Sequence, residues 1–259
     1  MKTPKKSPLS LILPVLGLTA ATASAATLID FEDYALASDL TANGWSLAGS
    51  DGSAITVITT SNSGSYVGGR AIQTDDGGAT FAGLLVSQAG INGLQMDVNW
   101  DYTGAPASGL GTPTVQLSGW DDLDPAGTFA SAERTAGLAM DNTEPDFEFM
   151  SSTGEIDGNN STLFAEKTWY RLTMTWTNPD GTGNRDLTLR GYDLTNDSNL
   201  GIVNTVTMTA AEFGVDPSDW DGIGIRMTRG TMDNIVLIPE PGSALLGLFG
   251  GALLLLRRR

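Results

Sequence analysis

A period of two residues runs through several stretches of the chain and constrains its fold more than any other feature. In 169–177, Tyr170, Leu172, Met174 and Trp176 alternate with Trp169, Arg171, Thr173, Thr175 and Thr177. In 95–102, Met96, Val98, Trp100 and Tyr102 alternate with Gln95, Asp97, Asn99 and Asp101. Leu187 and Leu189 alternate with Asp186, Thr188, Arg190 and Tyr192, and Ile223, Ile225 and Met227 with Gly224, Arg226 and Thr228. Successive side chains of a strand point to opposite faces, so each stretch has one apolar and one wet face. Sheets of that kind are antiparallel and pack their apolar faces together. Further strands are expected near 27–32, 54–60, 80–86, 114–120, 146–151, 202–208 and 231–238. Asn178 to Gly183 reads as a hairpin turn, and 210–214 as the one helical turn of the body. With no internal repeat and no linker, the pattern predicts an all-β chain: a single antiparallel β-sandwich, or jelly roll, over 26–237.

Composition removes whole classes of chemistry. The chain has no histidine and no cysteine. That excludes a Ser-His-Asp triad, a thiol nucleophile, a disulfide and an imidazole or thiolate metal site. The formal charge is −16 over 259 residues, and such a body repels phosphate backbones, which argues against nucleic acid as a partner. What remains is carboxylate, hydroxyl and amide chemistry, suited to calcium or to sugars.

The two ends differ from the body. Residues 1–25 have the form of a secretory signal, with Lys2, Lys5 and Lys6 before an apolar run and Ala23-Ser24-Ala25 as the cleavage site for signal peptidase. At the other end, Pro239-Glu240-Pro241 precedes an uncharged stretch from Gly242 to Leu256, closed by Arg257, Arg258 and Arg259. Fifteen helical residues rise about 22 Å, short for a permanent span of ~30 Å, and the arginines favour the cytoplasmic side. The sandwich is thus expected between an N-terminal signal helix and a C-terminal hydrophobic helix. Residues 238–259 resemble the PEP-CTERM sorting signal of Gram-negative bacteria. The resemblance implies processing by an exosortase, transient membrane insertion through the C-terminal helix, and delivery to the cell surface or an extracellular polysaccharide matrix. Without residues 1–25 and 239–259 the body holds 8 basic and 29 acidic residues, a formal −21.

Within the body, Trp169 to Trp176 followed by a Gly-rich turn and Leu187-Thr188-Leu189 resembles the central hairpin of concanavalin A-like (laminin-G-type) sandwiches. Ile29-Asp30-Phe31-Glu32 and Thr231 to Leu237 resemble the first and last strands of such jelly rolls. In that family the two strands pair, which would bring Asp30 or Glu32 to Asp233, where related jelly rolls hold a structural calcium. A second acidic loop, Asp122-Leu123-Asp124-Pro125-Ala126-Gly127 with Glu133, fits an EF-hand only in part, because Ala126 stands where a ligand is needed. Glu155-Ile156-Asp157 resembles the Glu-x-Asp core of laminarinase-type hydrolases, but it reads as a loop and Asn159 replaces the partner acid. Gly68-Gly69 and Gly77-Gly78 are turn glycines, not a phosphate loop. Trp45, Trp120, Trp169 and Trp220 lie beside polar or Gly residues; Trp169 and Tyr192 occupy the wet phase of their strands and are the expected platform for a sugar ring. These features describe an exported structural or adhesive sandwich binding glycans, with no catalytic residue assigned. A polysaccharide-active hydrolase or lyase is the alternative.

Overall fold

The computed structural model describes residues 26–35, 37–49, 55–59, 69–74, 80–85, 90–99, 114–121, 134–141, 146–156, 164–165, 167–227 and 230–240. The chain divides into two compact units. One is Ser24–Glu240; the other, Met1–Ala23 with Pro241–Arg259, lies outside the described residues, as do the acidic loop at 122–133, Gly68, Gly77-Gly78 and Asp157. No helix among the described residues is long and apolar enough to cross a membrane.

Among the described residues fifteen strands follow in chain order: β1 (Thr27–Ile29), β2 (Trp45–Gly49), β3 (Thr56–Thr59), β4 (Arg70–Thr74), β5 (Thr80–Leu85), β6 (Ile91–Asn99), β7 (Thr114–Trp120), β8 (Gly137–Asp141), β9 (Asp146–Ser151), β10 (Gly154–Ile156), β11 (Trp169–Trp176), β12 (Arg185–Asp193), β13 (Ser198–Met208), β14 (Gly222–Met227) and β15 (Gly230–Pro239). They form two antiparallel sheets. The eight-stranded sheet runs β13-β12-β11-β6-β15-β4-β3, with β1 also on β15; the seven-stranded sheet runs β10-β9-β8-β7-β14-β5-β2. The two-residue period accounts for the core. Met96, Val98, Leu172, Met174 and Leu189 from the first sheet are buried with Leu117, Leu138, Phe149, Ile223 and Ile225 from the second. Phe147 meets the Tyr170 ring edge-on at 5.0 Å, and Trp176 lies between Phe213 (5.7 Å) and Trp220 (6.0 Å).

The expected hairpin is present. Asp180 Oδ1 accepts from Thr182 N (2.7 Å), Thr182 Oγ1 (2.7 Å) and Asn184 N (2.9 Å), and Gly183 supplies the positive φ of 87° that closes the turn. The expected helical turn is α2 (Ala210–Phe213), held by a capping box between Thr209 and Glu212. A second short helix, α1 (Ala37–Ala42), was not expected, nor were β2, β4 and β8. These segments have little alternation of their own and gain strand geometry from neighbours, as β8 does between β7 and β9. The 154–156 segment is also no loop: β10 folds straight back on β9, Gly154 opposite Ser151.

The sandwich runs past its expected end at 237. Ile238 pairs with Gly93 and Pro239 with Ile91, and Glu240 N donates to Gly90 O at 2.6 Å. Proline lacks an N–H and is tolerated at a bulge, and the register with β6 shifts between Ile238 and Pro239.

Candidate functional site

The wet face of the eight-stranded sheet carries the site. Cross-strand registers align five residues in one row: Asp233 on β15 faces Asp97 on β6, Asp97 faces Arg171 on β11, Arg171 faces Tyr192 on β12, and Tyr192 faces Asn199 on β13. Their order runs from two acids through one base to two neutral polar groups across the sheet.

The acidic end is built at a gap in strand pairing. On one edge of β15, β4 covers Gly230 to Met232 and β1 covers Ile235 to Leu237. Asp233 and Asn234 fall between them, at a register shift with β6, and Asn234 adopts φ 46°. Asparagine is among the few residues that accept this left-handed conformation. Arg171 grips Asp97 through both carboxylate oxygens, Nε to Oδ1 at 2.7 Å and Nη2 to Oδ2 at 2.8 Å. Asn234 Nδ2 donates to Asp97 Oδ2 at 3.0 Å, and Asn234 N donates to Asp233 Oδ1 at 2.8 Å. Burial pushes the Asp233 carboxyl up to about 7, and the charges of Asp97, Glu32 and Asp30 add to this against the Asn234 hydrogen bond.

The predicted pairing of first and last strands is therefore present, Ile29 opposite Ile235, and it brings Asp30 and Glu32 within electrostatic reach of Asp233. Asp30, Glu32 and Asp233 are the residues expected to hold calcium. Among the described residues no group of three or more acidic side chains converges to hold a metal ion. Glu32 Oε1 instead accepts from Gly69 N (2.6 Å) and Arg70 N (3.2 Å), and Asp97 is gripped by Arg171. Calcium needs six to eight oxygens, and of the three carboxylates Glu32 already accepts from two backbone N–H groups.

Trp169 requires a correction. It sits in the wet phase of β11 but is 0% exposed, as are Asn99 and Thr231, its partners in the next row. Trp169 N donates to Thr195 Oγ1, and Trp169 O accepts from Leu194 N, both at 2.8 Å. Fully buried, the indole offers no face to a sugar. Trp45, Trp120 and Trp220 are buried too. A Cβ on Gly224 would overlap the Trp120 indole, and one on Gly119 the Trp220 indole. Glycines on neighbouring strands make the hollows that take these rings, and no local sequence pattern announces them.

Beyond this covered row the face opens into a shallow groove of about 440 Å³, lined by Arg171, Thr173, Arg190, Tyr192, Leu194 and Asn199 among others. Tyr192, the other residue predicted to meet a sugar, stands in it. Its hydroxyl donates to Asp197, which raises its ionisation above the ordinary phenol value and keeps it protonated. Thr173 Oγ1 donates to Gln95 Oε1 at 3.2 Å, and Asn199 Oδ1 accepts from Gly201 N at 2.8 Å. Sequence reading placed Asp97, Arg171, Arg190 and Tyr192 on wet faces but did not align them, because register between strands distant in sequence leaves no local signal.

No family model and no curated protein matches the sequence. Similar solved structures include domain 4 of AbnA, a GH43 extracellular arabinanase from Geobacillus stearothermophilus, in complex with arabinotriose (TM-score 0.47, 14% identity, covering 82% of this chain and 91% of that one). The VIP36 exoplasmic/lumenal domain in its Ca2+/Man-bound form is also similar (0.45, 14%, 76% and 84%). So is lectin I from Ulex europaeus in complex with the methyl glycoside of α-L-fucose (0.45, 9%, 83% and 99%).

Proposed function

We propose that the chain is an exported β-sandwich, sorted to the surface or extracellular matrix of a Gram-negative bacterium, that binds extracellular polysaccharide in the Tyr192 groove as a structural or adhesive module. The observation that carries the binding role is the division of the polar row. Its accessible end presents an aromatic hydroxyl, an amide and a guanidinium, groups suited to hydroxylated rings. Its two facing carboxylates lie beneath the surface, Asp97 at 0% and Asp233 at 1% exposure. Glycoside hydrolysis needs two carboxyl groups flanking the scissile bond, about 5–10 Å apart. The burial of both carboxylates favours binding over hydrolysis.

Tyr192→Ala and Asn199→Ala are each expected to weaken polysaccharide binding by about tenfold, read by affinity electrophoresis against a panel of neutral and acidic polymers. Binding unchanged in both variants would remove the groove from the reading. The second reading, a hydrolase or lyase, is favoured by one observation. An acid pushed to about 7 beside one held in a salt bridge is how acid and base roles are divided in glycosidases. Release of reducing ends or unsaturated products by the wild type, abolished in Asp233→Asn, would establish that reading in place of the first.

Sorting rests on Pro239-Glu240-Pro241, the apolar segment and the Arg257-Arg258-Arg259 cluster, together with the N-terminal signal. Signal peptidase and an exosortase are the processing partners, and nucleic acid has no place in a body this acidic. Protein recovered from the surface of an exosortase-bearing host is expected to have lost both residues 1–25 and the arginine cluster by intact mass. A retained C-terminal tail would make it a plain membrane anchor.

A further inference from the structure

We infer that the Tyr192 groove selects a saccharide bearing carboxylates, a uronate-containing chain, over a neutral one. This rests on the glycan-binding reading above and adds the ligand's charge to it. The body between the two terminal signals holds eight basic residues against 29 acidic ones, yet two of the eight, Arg171 and Arg190, line this one groove. Arg171 is committed to Asp97. Arg190 is exposed and makes no ion pair with any described residue. It faces Thr173 on β11, and Tyr192 follows two residues later on the same face of β12.

The remaining hydrogen-bonding capacity specifies the ligand. Thr173 and Tyr192 have given their hydroxyl hydrogens to Gln95 and Asp197. Each therefore meets a ligand with lone pairs only, and accepts from a sugar hydroxyl. Asn199 has its oxygen engaged by Gly201 N and meets a ligand with its amide hydrogens. Arg190 supplies the planar fork that pairs with a carboxylate. Acceptors for ring hydroxyls beside an unpaired guanidinium match a sugar that carries both. Of the carboxylates near the groove, Asp97 is paired with Arg171, while Asp197 and Asp186 accept from the Tyr192 and Thr207 hydroxyls.

The test titrates the full chain with hexagalacturonate and with its methyl ester, which keeps the shape and loses the charge, by isothermal calorimetry at low and moderate salt. The acid is expected to bind about tenfold more tightly than the ester, by a margin that shrinks with salt. Arg190→Gln should reduce the acid to the level of the ester, and Arg190→Lys should restore part of the difference. Circular dichroism confirms that the variants fold. Equal binding of acid and ester, or a preference that survives Arg190→Gln, overturns the inference. If a neutral polymer binds in a Tyr192-dependent manner and the uronate does not, the inference fails while the binding role stands. If no polysaccharide binds, both fall.

Discussion

Replacing Arg171 by leucine is expected to lower the stability of the sandwich by about 3 kcal/mol at pH 8, the scale for stripping a buried carboxylate of its partner. In a domain of this size the melting temperature should fall by roughly 6–12 °C. The guanidinium is 39% exposed on its side chain, but the carboxylate it grips is at 0%. The loss therefore falls on Asp97, which keeps a hydrogen bond from Asn234 and faces Asp233 with no cation between them. Asp97→Asn in the same background should return most of the lost stability, since it removes the charge that Arg171 neutralised. Circular dichroism melts of the two single variants and the double variant measure the coupling. Stability within about 0.5 kcal/mol of wild type in Arg171→Leu, the level of an ordinary surface change, would mean that the row is not energetically linked.

Asp233→Asn should act in the opposite direction and stabilise the protein at pH 8. The folded carboxyl titrates near 7, against an ordinary value of 3.8. Between those values the folded state holds a proton that the unfolded chain has released, so stability falls as pH rises through the window and levels off above it. Each pH unit of the window is worth about 1.4 kcal/mol. The groups facing Asp233 are Asp97 from β6, Asp30 and Glu32 from the chain after β1, and Asn234 beside it, with Arg171 acting through Asp97. Asparagine keeps the oxygen that accepts from Asn234 N and loses the charge. The variant should gain about 2 kcal/mol or more at pH 8, almost nothing at pH 4, and show a flat profile between. A wild-type profile already flat from pH 4 to 8 would contradict this. Chelation separates a proton from a metal: if chelator lowered the melting point of the wild type and not of Asp233→Asn, a bound cation would be the neutralising partner.

The fold was legible where a strand carries its own alternation. Met96-Asp97-Val98 and Tyr170-Arg171-Leu172 declare which residue faces the core, because burial selects every second position in a strand. Arg70–Thr74 and Trp45–Gly49 do not, since they are shaped by the strands beside them. The site was half legible. Tyr192 and Asp233 were singled out, and both lie on the row, Tyr192 in the open groove and Asp233 beneath the surface. Trp169 was misplaced because a wet phase in sequence means only that a side chain leaves the core between the sheets. It does not exclude cover on the far side, and here Trp169 shares that cover with Asn99 and Thr231.

Residue types and their spacing already imply antiparallel sheets, the lack of imidazole and thiol chemistry, and a body more acidic than the total charge. These are properties of residue type and of spacing within single strands, and neither depends on what lies across the sheet. It takes the folded sheets to bury Asp97 and Asp233 together, to bring Arg171 onto Asp97, and to leave Arg190 facing an open groove. Residues 137 positions apart, as Asn234 and Asp97 are, become neighbours through strand register, and register is set by the summed packing of both sheets, which no local stretch of sequence contains.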